Sequence, residues 1–94
     1  MINELKIEYV EYMPKVKEDG ILYISERFGL AIHLCACGCG IETVTPIFKD
    51  HKGWKLTTND KGEVTLRPSI GNFNGEKLYH AHYYITNNKI EILK

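Results

Sequence analysis

Apolar and polar residues alternate along most of this chain, and that period of two limits its fold more than any other feature. Residues 4–10 read ELKIEYV, which would put Leu5, Ile7 and Tyr9 on one face and charged groups on the other. Alternation of this kind predicts half-buried strands, while the three- and four-residue spacing of a helix is scarce. The 94 residues suffice for one core, so we predict a single domain over residues 1–94. The predicted fold is mostly β, with a β-rich α+β fold as the alternative.

The strand-like segments that follow are short and are separated by residues typical of turns. They are ILYIS, LAIHL, IETVTPIF, WKLTT, EVTLR, LYHAHYYI and KIEIL, in chain order. Pro46 is expected to end its strand or to confine it to a sheet edge. The linkers NDKG and TNNK are typical of hairpin turns. A compact domain of six to eight short strands with hairpins is therefore predicted.

The charges of the chain balance, with twelve Lys and Arg residues against twelve Asp and Glu. Nucleic-acid binding needs a basic face, and no basic run longer than two residues occurs. No apolar run approaches the ~18 residues that a membrane span needs, and MINELKIEYVEY lacks the basic-then-apolar order of a signal peptide. We therefore expect no nucleic-acid partner, no membrane and a cytoplasmic location. In that reducing setting an odd number of cysteines disfavours a disulfide framework.

All cysteines of the chain fall in the stretch HLCACGCG. Thiolates crowded on a tight loop suit zinc, which takes four ligands at about 2.3 Å from sulfur. Gly38 and Gly40 permit the backbone to curl around one ion. Three small buried hydrophobic residues are the alternative, but glycine-rich loops rarely bury successive thiols for packing. The predicted ligands are three thiolates and one of the four histidines: Cys35, Cys37, Cys39, and His33, His51, His80 or His82.

The segment PSIGNF, which follows Arg67, is a second candidate site. Its proline forces extended backbone before it, so we expect the strand to end at Arg67 and Ser69 to enter a turn. Amides exposed after Gly71 beside a serine nucleophile are what acyl transfer needs. His82 could return on the next strand as the base. Residue chemistry alone favours the alternative that Ser69 and Asn72 only satisfy turn hydrogen bonds.

Four stretches in this order, YMPKVKEDGILYIS, HLCACGCG, VTLRPSIGNF and HAHYYI, resemble a family of small metal-binding proteins. Its members are encoded beside bacterial ubiquitin-like conjugation genes, in Bub (bacterial ubiquitination-like) operons, and are described as serine proteases with a serine–histidine dyad. The resemblance covers residues 12–92, and the combination of C-x-C-G-C-G with V-T-L-x-P-S-I-G-N is its most specific part. It implies that Ser69 is the nucleophile, His82 the base and zinc a structural cofactor.

The chain departs from the family pattern at the fourth metal ligand. That pattern has a cysteine three positions before the dyad histidine, where this chain has Tyr79. Its neighbour is His80, so the resemblance implies that His80 completes the zinc site, with His33 as the alternative. The family also usually has tryptophan where this chain has Phe73, a conservative packing change.

The substrate that the resemblance implies is a ubiquitin-like protein, as a precursor or in its conjugates. Activating and conjugating enzymes of the same operon would be further partners. Amides near Gly71 and Asn72 would form the oxyanion site. A substrate tail could add as a strand to an open sheet edge, beside a groove lined by the aromatic residues Tyr83, Tyr84 and Trp54.

Two other functional classes stay open. A non-enzymatic zinc-binding adaptor of the conjugation machinery would keep the cysteines and use the aromatic residues as a docking face. A metallohydrolase would need an open zinc position and a carboxylate base, for which Glu42 is the nearby candidate.

Overall fold

The computed structural model describes residues 2–47, 53–72 and 81–93. Within these ranges there is no helix, and eight strands form two four-stranded sheets. The strands are β1 (Lys6–Tyr9), β2 (Ile21–Ser25), β3 (Leu30–Leu34), β4 (Glu42–Pro46), β5 (Lys55–Thr58), β6 (Val64–Asn72), β7 (Ala81–Thr86) and β8 (Lys89–Ile92). The predicted mostly β fold of six to eight short strands is confirmed. The described part of the chain has no helix with the length and apolar character that crossing a membrane requires.

Each sheet is built from strands that are consecutive in the chain. The first has the order β1–β2–β3–β4, with β1 parallel to β2 and the other pairs antiparallel. The second has the order β5–β6–β7–β8 and is antiparallel throughout. Both predicted hairpins are present, and at the tip of the second Asn87 and Asn88 have φ of 49° and 70°. Two consecutive left-handed residues suit a tight hairpin because their twist matches that of the flanking strands.

Alternation sorts the residues of the second sheet into an inner and an outer face. Along β7, Ala81, Tyr83 and Ile85 are buried, whereas the intervening residues are half-buried. The inner residues join buried residues of the first sheet in one cluster, which contains Leu5, Leu22, Ile24, Ala31, Cys35, Ala36, Val64, Leu66, Ile70, Ala81, Tyr83 and Ile85. The two sheets therefore pack face to face. The outer face of the second sheet, which is in part open to solvent, comprises Thr65, Arg67, Ser69, Gly71, His82, Tyr84 and Thr86.

Strand β6 continues past the point where the sequence predicted its end. It runs from Val64 through Pro68 to Asn72, so the expectation that the strand ends at Arg67 and that Ser69 enters a turn is wrong. The Arg67–Pro68 peptide bond is cis. Proline lacks an N–H, which excludes it from a regular central ladder but not from a position where the pairing is interrupted.

The register of β6 against β7 shows that interruption. Leu66 pairs with Ile85, and the next pair is Ile70 with Tyr83. Three residues of β6 thus lie opposite one residue of β7, Tyr84. Such a bulge bends its strand and redirects side chains, and bulges are frequent beside functional sites. The candidate nucleophile is therefore presented from a bulge inside a strand rather than from a turn.

Candidate functional site

Ser69 and His82 form a hydrogen-bonded pair on the outer face of the second sheet. Oγ of Ser69 lies 2.8 Å from Nε2 of His82, although thirteen residues separate them in the chain. Both residues are half-buried, so the pair (hereafter the dyad) is partly shielded from water yet reachable from outside. A hydroxyl in this contact can pass its proton to an imidazole as its oxygen attacks a carbonyl.

The pairing of β6 with β7 explains this contact. Gly71 lies directly opposite His82, and Ser69 precedes Gly71 by two residues. Residues two apart share one face of a strand, and diagonal neighbours on adjacent strands are within reach of long side chains. Because Gly71 has no side chain on this face, the imidazole has room to lean towards the serine.

The backbone beside the dyad offers an N–H that points away from β7. The Leu93 N–H donates to the carbonyl oxygen of His82 at 2.9 Å, so the backbone polar groups of His82 face β8. Gly71 and His82 are then a non-hydrogen-bonded pair, in which the Gly71 N–H points towards the β5 side. Among the described residues, β5 pairs with β6 only as far as Arg67. By the same alternation the backbone of Asn72 faces β7. Of the two amides predicted to form the oxyanion site, that of Gly71 is therefore better placed.

The cysteines lie in the loop between β3 and β4. The loop closes where the Cys35 N–H donates to the Ile41 carbonyl at 2.8 Å, and the Gly38 N–H donates to the Cys35 carbonyl at 3.0 Å. Gly38 and Gly40 have φ of 90° and 84°, a region that side chains rarely enter. The tight curl that these glycines allow brings the sulfur atoms of all three cysteines within 4.8 Å of one another.

The spacing of these sulfur atoms fits a metal ion. Sγ of Cys35 lies 3.4 Å from Sγ of Cys37, and tetrahedral zinc with sulfur at about 2.3 Å sets its ligands about 3.8 Å apart. Cys35 is buried, Cys37 is half-buried and Cys39 is exposed, so the cluster lies at the margin of the core. The three thiols could therefore hold a metal ion between the core and the solvent.

Of the candidates for a fourth metal ligand, the structure describes His33 and the dyad histidine. His33 is buried, is not a member of the cysteine cluster, and has its Nε2 2.7 Å from Oη of Tyr83. Burial lowers the pKa of His33 from 6.5 to about 4, because the core solvates a charged ring poorly, so this ring is neutral at pH 7. The predicted ligand His80 lies outside the described residues, as do His51 and Tyr79.

Tyr83 connects the strand of the dyad histidine to the cysteine loop. Its side chain is fully buried, and its Oη accepts the Ala36 N–H at 3.4 Å in addition to contacting His33. The expectation that Tyr83 lines a substrate groove is wrong, because its ring lies inside the core. No sequence signal singles out this tyrosine, since any large apolar residue at that position would maintain the alternation.

Two other predicted features lie apart from the dyad. Glu42 forms an ion pair with Lys17, at 3.3 Å between oxygen and nitrogen, and is not part of the cysteine cluster. Trp54 lines a groove of about 750 Å³ to which residues of both sheets contribute, and neither Ser69 nor His82 is among its lining residues. Of the three aromatic residues expected near the substrate, Tyr84 is the one on the face of the dyad.

Comparison with models of known protein families identifies the family of this chain. Residues 9–93 match the family model described as the bacterial ubiquitination-like system serine protease, BubE. No curated protein and no solved structure matches the chain. The matched range includes both the cysteine loop and the dyad. The chain therefore belongs to the BubE family of serine proteases of bacterial ubiquitination-like systems.

Proposed function

We propose that this chain is a serine peptidase in which Ser69 is the nucleophile and His82 the general base. The observation that carries the proposal is the 2.8 Å contact between Oγ of Ser69 and Nε2 of His82. Its substrate is a ubiquitin-like protein, either as a precursor or in its conjugates, within a cytoplasmic conjugation pathway. In the described part of the chain the dyad lies on a sheet face that is in part open to solvent, which suits an extended segment of a protein as substrate.

The proposed reaction begins when Oγ of Ser69 attacks the carbonyl carbon of the scissile amide and its proton passes to Nε2 of His82. The Gly71 N–H is the proposed donor to the oxyanion that forms. When that intermediate collapses, the C–N bond breaks and His82 gives its proton to the leaving amine. A water molecule then attacks the acyl-enzyme, its proton passes to His82, and the proton returns to Ser69 as the acid product leaves.

The cysteine loop has a structural role in this proposal. Cys35, Cys37 and Cys39, with His80 as the fourth ligand, would hold one zinc ion. Three thiolates make a closed and electron-rich site, which suits the ordering of a loop better than the activation of water. The loop contacts Tyr83 through the Ala36 N–H, so its order bears on the strand of the proposed base.

A fluorophosphonate probe tests the dyad without knowledge of the substrate. It reacts with an activated serine: the Oγ–P bond forms, the P–F bond breaks, fluoride leaves and the proton passes to the base. We expect labelling of Ser69 in the intact protein and none in Ser69→Ala. His82→Ala should lower the labelling rate on the order of 10³-fold, since little serine attack survives without its base.

Two comparisons distinguish a catalytic dyad from an adaptor and from a metallohydrolase. Because a dyad acts as a unit, cleavage of a ubiquitin-like precursor by the double variant should be scarcely slower than by either single variant. Ser25→Ala is the matched control, since Ser25 is a buried serine of the first sheet whose Oγ donates to the Glu11 carbonyl. An intact, folded protein whose Ser69 does not react with the probe would overturn the proposal and favour the adaptor. Precursor cleavage that survives Ser69→Ala but is lost on chelation would favour a metallohydrolase.

A further inference from the structure

Arg67 is an exposed cation held in a fixed position beside the dyad. Its guanidinium carbon lies 4.3 Å from the ring centroid of Tyr84. Nη1 donates to the carbonyl oxygens of Leu66 and Ile85 at 2.9 and 3.2 Å, and Nη2 donates to Oγ1 of Thr86 at 2.8 Å. A side chain ordered in this way has already lost its rotamer freedom before any ligand binds.

Strand β7 sets the distance between this cation and the dyad. Tyr84 follows His82 by two residues on the same face, which is about 6.5–7 Å along a strand. The guanidinium stacks on Tyr84 and also donates to Oγ1 of Thr86, the next residue on this face, so it lies between one and two such repeats from the imidazole. An extended substrate repeats at the same interval, so a substrate residue two or four positions from the cleaved bond would face Arg67.

The positive charge of Arg67 is not neutralised within the described part of the chain. Three of the five N–H donors of a guanidinium are used, all by neutral oxygens, and Arg67 is in no ion pair. Exposed Lys55 lies directly opposite Arg67 on β5, and like charges in such a cross-strand pair are destabilising. Glu91 lies directly opposite Tyr84 on β8, and it makes no ion pair with Arg67.

We propose that Arg67, supported by Tyr84, binds a carboxylate of the substrate two or four residues from the bond that the dyad cleaves. A carboxylate can accept parallel N–H bonds from a guanidinium, and two such charge-assisted bonds would neutralise the positive charge of Arg67. The carboxylate belongs either to an Asp or Glu side chain or to the C-terminus of a chain cut two or four residues from its end. Arg67 is thus a specificity-determining residue, and this inference rests on the proposed peptidase function.

The test uses the intact protein and a mixed library of free peptides, with mass spectrometry to identify the cleaved bonds. The best-cleaved sequence is then made in matched forms, with Glu or Gln two or four residues before or after the bond. Further matched pairs end two or four residues after the bond, with a free carboxylate or a carboxamide. We expect kcat/KM to be about tenfold higher for the charged member of at least one pair, the range of a charge-assisted hydrogen bond near solvent. Which pair responds distinguishes the side chain from the terminus.

Variants of Arg67 then show whether the preference arises there. Arg67→Gln should bring the ratio of kcat/KM between the charged and neutral peptides close to one, and Arg67→Lys should retain part of it. The Arg67→Glu variant should show the inverse preference, with a higher kcat/KM for a peptide that has Lys in place of Glu. The matched control is Arg27→Gln in the turn between β2 and β3, since Arg27 also stacks on an aromatic ring, at 5.4 Å from the centroid of Tyr12.

The ratio of kcat/KM between charged and neutral peptides distinguishes substrate recognition by Arg67 from a purely structural role. If Arg67 only stabilises the bulge, Arg67→Gln will slow cleavage of both peptides equally, and the inference is wrong. A ratio near one for the unaltered protein in every pair would also overturn it, while the dyad remained supported by cleavage itself. A protein that cleaves no peptide in the library would overturn the proposed function and this inference together.

Discussion

Within the core, the hydroxyl of Tyr83 contacts one polar group of the first sheet and one of the cysteine loop. It lies 2.7 Å from Nε2 of His33 and accepts the Ala36 N–H at 3.4 Å. A buried imidazole and a buried amide would each lose a hydrogen-bond partner if this oxygen were absent, and such losses destabilise a fold more than the bond itself stabilises it. The residue next to the proposed base is thus also the point where polar groups of both sheets meet.

Tyr83→Phe should therefore lower the free energy of unfolding by about 1–3 kcal/mol, although it removes one atom and leaves no large cavity. Urea unfolding followed by circular dichroism measures the change. Tyr84→Phe is the matched control, since that ring lies half-buried on the outer face and its replacement should fall within about 0.5 kcal/mol. Equal effects of the two substitutions would contradict a special role for the buried hydroxyl.

At the scale of elements, the cysteine loop is the segment whose local sequence best explains its conformation. Positive φ at Gly38 and Gly40 curls the backbone and brings the thiols together. Cys35 and Ala36 are buried in the same cluster as residues from both sheets, so order in the loop and packing of the core depend on each other.

Purified protein should accordingly carry about one zinc ion per chain, since three thiolates and one further ligand complete a tetrahedral site. Cys37→Ser or Cys39→Ser should lose metal and lower Tm or cause aggregation, because the formation of such a site is coupled to folding. His80→Ala should weaken zinc retention more than His33→Ala. Ser69→Ala is the control and should retain its zinc. Metal analysis that finds no stoichiometric metal in protein made with zinc present would contradict this expectation.

Strands and hairpins could be predicted from the sequence because both depend on local properties. The alternation of apolar and polar residues predicts the strands, and TNNK predicts a turn, whose two asparagines adopt left-handed φ in the structure. The end of β6 was mispredicted because Pro68 is incompatible with a regular ladder, whereas the bulge accommodates its missing N–H. The contact of His33 with Tyr83 could not be predicted, since it joins residues fifty positions apart and depends on how the two sheets face each other.

At the scale of the whole molecule, the chain is divided between the sheets in sequence order. The first four strands form one sheet and the last four the other, so each strand pair of the two sheets joins strands that are consecutive in the described chain. Backbone hydrogen bonds also join the two ends of the described chain: the Leu5 N–H donates to the Asn88 carbonyl at 2.7 Å, and the Ile90 N–H donates to the Asn3 carbonyl at 2.8 Å.

That junction has a kinetic consequence. Closing a loop across nearly the whole chain costs more entropy than closing a hairpin, so the β6–β7 and β7–β8 hairpins should form in the folding transition state and the end-to-end contact after it. Leu5→Ala, which should cost about 2–5 kcal/mol, would then accelerate unfolding and leave the folding rate nearly unchanged, whereas Ile85→Val would slow folding. Stopped-flow measurements in urea give the folding rate and the unfolding rate separately. A Leu5→Ala variant that folds markedly more slowly would mean that the ends of the chain meet early, before the hairpin that carries His82 has formed.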